Sequence, residues 1–272
     1  MMISSSDLYH LYFVENKTAK EIAKIYNCSN VTIYKYLRKN GFKVKIANNK
    51  PKYSKNDNYF SSSTVQNSYW AGFIGADGCI SKSHNIYSSL KIKLKDTDKN
   101  HLLNFKEDID YTGPIIDNIA KKPKKDSYKY KKQHYNQSTI QIYSAKQIIS
   151  DLNSNFNITP QKSLILQPPN LTNKDEILSY IIGYIDGDGH ISNGKPRLSI
   201  VGNKEILDWI NNIFNNSGKV YSEKRSKSYY LQFNIKDSIK ILVKLQNIIT
   251  KYNLKVLDRK WNKIREYFGV LV

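Results

Sequence analysis

The chain has 272 residues, 43 of them basic against 23 acidic, for a net charge of +20. That length holds one large domain or two to three small ones; no apolar run approaches the roughly 20 residues that span a bilayer, and two cysteines, Cys28 and Cys79, make neither a disulfide framework nor a zinc site. A charge well beyond the roughly 2–8 that solubility asks of a small domain points to polyanionic partners, nucleic acid first.

Residues 1–44 read as a small all-α unit. Ser5 to Asn16 forms an amphipathic helix with Leu8, Leu11 and Tyr12 on its apolar side. Thr18 with Glu21 makes a capping box that opens a second helix carrying Ile22, Ala23, Ile25 and Tyr26. Asn27-Cys28-Ser29 is a short turn, in which Asn27 tolerates the left-handed conformation. Ser29 caps a third helix with Val31, Ile33 and Leu37 inward, ending at Asn40-Gly41. Its outward residues include Asn30, Thr32, Tyr34, Lys35 and Arg38. The pattern resembles the helix-turn-helix of DNA-binding proteins, with Ala23 at the tight-packing position and Asn27 in place of the usual turn glycine. That resemblance implies that the five outward residues contact DNA; a plain three-helix adaptor shares the same pattern.

Residues 45–66 lack periodicity. The stretches around Lys43-Val44-Lys45, Lys50-Pro51-Lys52 and Ser61-Ser62-Ser63 predict a basic, largely extended linker, lying along a phosphate backbone or acting as a solvated tether.

From residue 67 the chain repeats itself, over 67–170 and 171–272. Each repeat carries an apolar helical run interrupted by small residues and closed by Asp-Gly: Trp70-Ala71-Gly72-Phe73-Ile74-Gly75-Ala76-Asp77-Gly78 and Ile181-Ile182-Gly183-Tyr184-Ile185-Asp186-Gly187-Asp188-Gly189. Gly inside a helix costs about 1 kcal/mol against Ala, so two such runs predict two helices that meet backbone to backbone. Gly72 and Ala76, like Gly183 and Gly187, lie at i, i+4 on one face. Asp77 and Asp188 then sit at the negative ends of two helix dipoles, where a carboxylate is disfavoured by about 0.3–1 kcal/mol. Brought together they also repel, and a cation held by oxygen ligands, Mg2+ above all, relieves both strains.

Both segments resemble the motif that names the LAGLIDADG homing endonucleases, and two copies in one chain resemble the single-chain, pseudo-dimeric branch. The family's acidic sixth position is retained as Asp186 and replaced by Gly75 in the first copy. The sequence beyond the motifs repeats too. Strand-like Cys79–Ser83 and Ile86–Leu94 parallel His190–Ser192 and Arg197–Val201, the latter joined by an Asn193-Gly194 turn. Helices follow at Lys99–Ile109 and Lys204–Phe214, then a Gly and a strand at 113–116 and 218–221, then strands at 139–142 and 230–233. A last helix starts near Ala145 and Ser238, and Phe156-Asn157-Ile158 parallels Tyr252-Asn253-Leu254. Asp77 and Gln141 are 64 residues apart against 44 for Asp188 and Gln232; most of the excess is Lys121–Tyr135, a Lys- and Tyr-rich hairpin tip. The fold class is therefore α+β: two αββαββα repeats, which the resemblance implies form a saddle of two antiparallel sheets over a DNA groove, preceded by the helix-turn-helix unit.

The resemblance also assigns the chemistry. Asp77 and Asp188 hold Mg2+ (or Mn2+), with the carbonyls of Ala76 and Gly187 as further ligands. A lysine in each repeat stabilises charge or relays a proton; the matching positions are Lys162 and Lys260, with Arg259 as a competitor for the second. Phosphate and base contacts fall to Lys91, Lys93, Lys124, Lys125, Lys131, Arg197 and Arg225. His84, His101, His134 and His190 show no pairing that suggests ligation. The implied activity is site-specific cleavage of double-stranded DNA by a monomer at a long asymmetric site. Two alternatives share the scaffold: an intron RNA-splicing maturase, and a non-catalytic helix-turn-helix regulator. Only five basic residues are Arg, and the wealth of Lys, Asn, Ile and Tyr matches the codons of an AT-rich genome. With no secretory apolar stretch at the N-terminus, the expected place is the cytoplasm of a bacterial or phage-infected cell, at the nucleoid, or an organellar matrix.

Overall fold

The computed structural model describes residues 3–44, 52–83, 86–119, 136–222 and 228–269, and the chain divides into two compact units, Met1–Lys50 and Pro51–Val272.

The first unit is built from helices α1 (Ser5–Tyr9), α2 (Ala19–Ile25) and α3 (Asn30–Lys39). In α2, Thr18 Oγ1 accepts from the Glu21 amide and Glu21 Oε2 accepts from the Thr18 amide at 2.7 Å, so each end of the box satisfies the other. Asn27 takes the left-handed conformation at φ 46°, and Ser29 Oγ accepts from Thr32 N at 3.1 Å to start α3. Leu8, Tyr12, Ile22, Ala23, Ile33 and Leu37 form the core. Three expectations change. The first helix is not α throughout: α1 widens into a π-helical stretch at His10–Val14. Val31 is 58% exposed rather than inward, because Ile33 and Leu37 define the buried face at i, i+4 and Val31 lies two residues off it. Ile25 is also exposed, at 54%.

The second unit contains both repeats. The first runs α4 (Val65–Asp77), β1 (Gly78–Ser83), β2 (Ile86–Lys95), α5 (Lys99–Asp108), β3 (Ile115–Asn118), β4 (Gln137–Ile142) and α6 (Lys146–Phe156). The second runs α7 (Lys174–Asp188), β5 (Gly189–Ile191), β6 (Leu198–Gly202), α8 (Lys204–Ile213), β7 (Lys219–Ser222), β8 (Tyr229–Gln232) and α9 (Ile235–Tyr252). The two sheets share one topology, β1-β2-β4-β3 and β5-β6-β8-β7, with every pairing antiparallel. Strand alternation sends Ile80, Leu90, Ile92, Ile140 and Ile142 into the core. The opposite face carries Lys91 beside Gln141 and Lys93 beside Thr139. Asn157 and Asn253 end α6 and α9 in the left-handed conformation, at φ 54° and 49°.

A tenth helix, α10 (Asp258–Tyr267), has no counterpart in the sequence reading. Its surface is charged almost all round, and only Lys260, Trp261 and Ile264 turn inward, so its apolar period was too sparse to read.

The expected linker is the clearest correction. Residues 45–51 lie outside the described residues, but 52–64 are a folded strap of the second unit. Ser54 N donates to Thr112 Oγ1 at 2.9 Å and Asn56 N to Ile109 O at 2.8 Å. Phe60 is fully buried against Phe156, with ring centroids 6.1 Å apart. Asn155 Nδ2 donates to Phe60 O at 2.7 Å, and Asn67 Nδ2 to Tyr59 O at 2.8 Å. The aromatic residues Tyr53, Tyr59 and Phe60 pack this segment onto the core of the second unit, and Lys55 pairs with Asp57 at 3.0 Å.

Candidate active site

α4 and α7 start from well-made caps. Thr64 and Asn67 form a reciprocal pair at the head of α4, and Asn173 Oδ1 accepts from Asp175 N and Glu176 N at the head of α7. Both helices are buried along most of their length and lie against each other through their small residues. A Cβ at Gly72 would lie 1.9 Å from Tyr180 O, and one at Gly183 would lie 1.9 Å from Tyr69 O. A Cβ at Gly187 would lie 2.3 Å from the Ala76 methyl and 3.4 Å from Asp77 N, so the two C-terminal ends meet.

That crossing brings Asp77 and Asp188 together at the last residue of each helix. Asp77 is open to solvent on one side and Asp188 is half-buried. Burial raises the Asp77 carboxyl above its ordinary value, opposed by Lys260, Lys162 and Arg259. Burial, then repulsion from Asp77, pushes the Asp188 carboxyl up to about 6, while Lys162 and Lys260 pull it down.

Both lysines are buried, and both turn their ammonium groups onto the helix ends. Lys162, on the short 3-10 turn Lys162–Leu164, donates to Ala76 O at 3.1 Å. Lys260, on α10, donates to the carbonyls of Ile185, Asp186 and Gly189 at 2.7 Å each and of Gly187 at 3.3 Å. The Asp186 and Gly187 carbonyls are orphans of the helix terminus, Ile185 O also accepts from the Gly189 amide, and a cation there opposes the dipole. Burial lowers both lysines, Lys260 to about 8, against the pull of nearby carboxylates. Arg259 turns elsewhere, its Nε lying 3.0 and 2.9 Å from the two oxygens of Asp98. The carbonyls of Ala76 and Gly187, expected to face a metal, thus already accept from ammonium groups.

Behind Asp188 lies a network that sequence reading missed. Asp186 is 1% exposed and accepts from Tyr69 Oη at 2.7 Å, Leu257 N at 2.8 Å and Trp261 Nε1 at 2.8 Å. Burial still raises its carboxyl to about 6. His101 Nε2 lies 3.0 Å from Tyr69 Oη. Because that hydroxyl donates to Asp186, it accepts from His101, which fixes the Nε2–H tautomer. Burial first, then Arg259 and Lys260, lower this imidazole to about 3, so it is neutral. The available signal was the placing of Tyr69 and Tyr180 three residues before Gly72 and Gly183.

The remaining candidates are scattered. On α3, Asn30, Lys35 and Arg38 are exposed, Thr32 Oγ1 lies 2.9 Å from Ser29 Oγ within the cap, and Tyr34 rests partly on the core. Lys93 and Arg197 are exposed and Lys91 half-buried. Lys124, Lys125, Lys131 and Arg225 lie outside the described residues, as do His84 and His134.

The donor set fits Mg2+. Two carboxylates raised by burial, one also by repulsion from the other, gain from a cation between them, and this ion takes one or two carboxylates and fills its shell with water and phosphate oxygens. Among the described residues no group of three or more His, Cys, Asp or Glu offers a fuller cage. No described helix is long and apolar enough to cross a membrane.

No known protein-family signature and no curated protein sequence matches the chain. Solved structures do. The homing endonuclease I-WcaI bound to its DNA recognition sequence aligns over 80% of this chain and 95% of its own, with TM-score 0.51 and 14% identity. The I-LtrWI LAGLIDADG homing endonuclease bound to target DNA aligns over 79% and 89%, with TM-score 0.44 and 14% identity. The first of these likenesses shows that the chain shares the fold of that homing endonuclease.

Proposed function

We propose that this chain is a site-specific DNA endonuclease that hydrolyses one phosphodiester bond in each strand of a duplex at a long asymmetric site, as a monomer and with Mg2+ or Mn2+. The observation that carries the reading is the meeting of Asp77 and Asp188 at two helix ends, each end held by a buried lysine. Asp77 and Asp188 would hold the ion. When bound, it supplies charge neutralisation at the scissile phosphate and a more acidic water.

The chain's own residues do the rest. The Gly72–Gly183 crossing fixes the two carboxylates in one place, as a site on rigid elements requires. Lys162 and Lys260 leave positive charge beside the position a phosphate would take, where it opposes the charge that develops in the transition state. Lys91, Lys93 and Arg197 contact phosphates or base edges from the polar faces of the sheets. The three-helix unit, through Asn30, Lys35 and Arg38, extends the site that is read. Lys124, Lys125, Lys131 and Arg225 would add phosphate contacts.

Cleavage of a randomised duplex library in Mg2+, with Asp77→Asn alongside, tests this. Sequenced ends at one long motif, absent from the variant, support it. Tight binding without cleavage in Mg2+ or Mn2+ overturns it, in favour of a regulator, or of a maturase where structured RNA binds better.

A further inference from the structure

The two halves of the centre are built differently, and the difference traces to one motif position. In the second repeat that position is Asp186. Its carboxylate ties the main chain at Leu257 and the indole of Trp261, residues that flank Lys260 on both sides. Lys260 is thereby seated on three carbonyls at 2.7 Å, from a helix of 10 residues.

In the first repeat the same position is Gly75. Tyr180, which matches Tyr69, is fully buried, and its hydroxyl has no hydrogen-bond partner among the described residues. A Cβ at Gly75 would lie 3.0 Å from that hydroxyl, so the hydroxyl faces the place where an acid would stand. A cavity of about 110 Å³ opens beside Gly75, lined also by Lys162, Leu166, Asp188 and Asn203. The Asn203 Oδ1 is also unpartnered among the described residues. Lys162 stands on one 3-10 turn and makes a single hydrogen bond to the motif helix, at 3.1 Å.

We propose that Asp186 is a positioning residue for Lys260, and that its absence at Gly75 leaves the Lys162 half slack. The consequence, which rests on the endonuclease reading, is that the two strands are cut at unequal rates and in a fixed order, the strand facing Lys260 first. The physical reason is preorganisation: a group held by three convergent bonds keeps its place, and a misplacement of about 1 Å costs up to about 100-fold in rate.

The experiment follows both strands of the selected target separately, by distinct end labels, in single turnover with the full chain. The wild type should accumulate one nicked species, always cut in the same strand. Asp186→Asn should slow that strand about tenfold or more and leave the other within about twofold. Gly75→Asp should speed the slower strand and narrow the gap. Trp261→Phe, a milder change that removes one bond to Asp186, covers the case in which Asp186→Asn does not fold, and should also slow the first strand selectively. Tyr180→Phe should change neither strand. Equal strand rates in the wild type overturn the inference while leaving the endonuclease reading intact. So does equal slowing of both strands by Asp186→Asn or Trp261→Phe with DNA affinity and melting temperature kept. No cleavage of either strand by the wild type overturns the endonuclease reading and this inference with it.

Discussion

Gly72 and Gly183 stand in a reciprocal relation: each faces the carbonyl oxygen of the tyrosine three residues before the other, at 1.9 Å from where its own Cβ would lie. Neither contact can yield by moving a flexible side chain, since both partners are main-chain atoms. Gly72→Ala and Gly183→Ala should each destabilise the second unit by about 1–3 kcal/mol or more, as overpacking does. The loss would appear in urea denaturation. A change under about 0.5 kcal/mol, the usual range for harmless surface substitutions, would mean that the helices do not cross this closely.

Asp77→Asn and Asp188→Asn should each abolish cleavage while leaving most of the DNA affinity, because each removes a carboxylate needed to hold the ion. Full activity in either variant would sink the assignment of the centre. A fluorescence-anisotropy titration beside the cleavage assay separates the two effects.

The raised carboxyl of Asp188 also has a consequence without DNA. The folded chain keeps this proton up to about pH 6, whereas the unfolded chain keeps it only to its ordinary 3.8. The group therefore favours the folded state at low pH, and that contribution is lost as pH rises through 6. Without divalent metal, Asp188→Asn should gain stability over the wild type between pH 4 and 7, by on the order of 1–3 kcal/mol. Mg2+ at neutral pH should stabilise the wild type and not the variant. Parallel thermal-melting profiles across that range would remove the basis for a strained carboxylate.

Lys260→Met should cost more stability than Lys162→Met. The first takes the ammonium from four carbonyls, of which Ile185 O keeps the Gly189 amide as donor, and the second takes it from one. Unsatisfied buried acceptors cost about 1–3 kcal/mol each before relaxation, so a gap of at least about 1 kcal/mol should separate the two. Equal losses in denaturant would show that the Lys260 contacts are not made in solution.

Lys35→Ala with Arg38→Ala should weaken DNA binding and reduce the dependence of log K on log salt by about 0.9 for each phosphate that is no longer neutralised. The single-turnover rate at saturating DNA should not change. A collapse of that rate would show that the helical unit takes part in chemistry rather than in address.

Most of the frame was legible because it is written in local signals. Asp-Gly closures, capping pairs such as Thr18 with Glu21, and strand alternation around Ile140 and Ile142 are each readable within a few residues. The position of Lys260 is reached through the repeat, but what it bonds to is not, since its partners lie on α7 and at the start of β5, more than 70 residues earlier in the chain. Helix α10 escaped because Trp261 and Ile264 are too few to mark a period. The strap over 52–64 reads as a linker in the sequence because its lysines and serines mask the aromatics, although Phe60 is fully buried. The Asp186 network was hidden for a further reason: a buried acid and a departure at Gly75 are opposite outcomes at one position, and only the facing tyrosines show that they belong together.

The pairing of Tyr69 with Asp186, and of Tyr180 with Gly75, also says what each half could do alone. A copy of the second repeat set against itself would present Tyr180 to an aspartate on both sides, so each tyrosine hydroxyl would find an acid. A copy of the first repeat set against itself would present Tyr69 to a glycine twice, leaving each hydroxyl with His101 but with no acid to receive its proton. The second half carries both the tyrosine and the acid of the pair. The first half lacks that acid and meets it only in the other repeat.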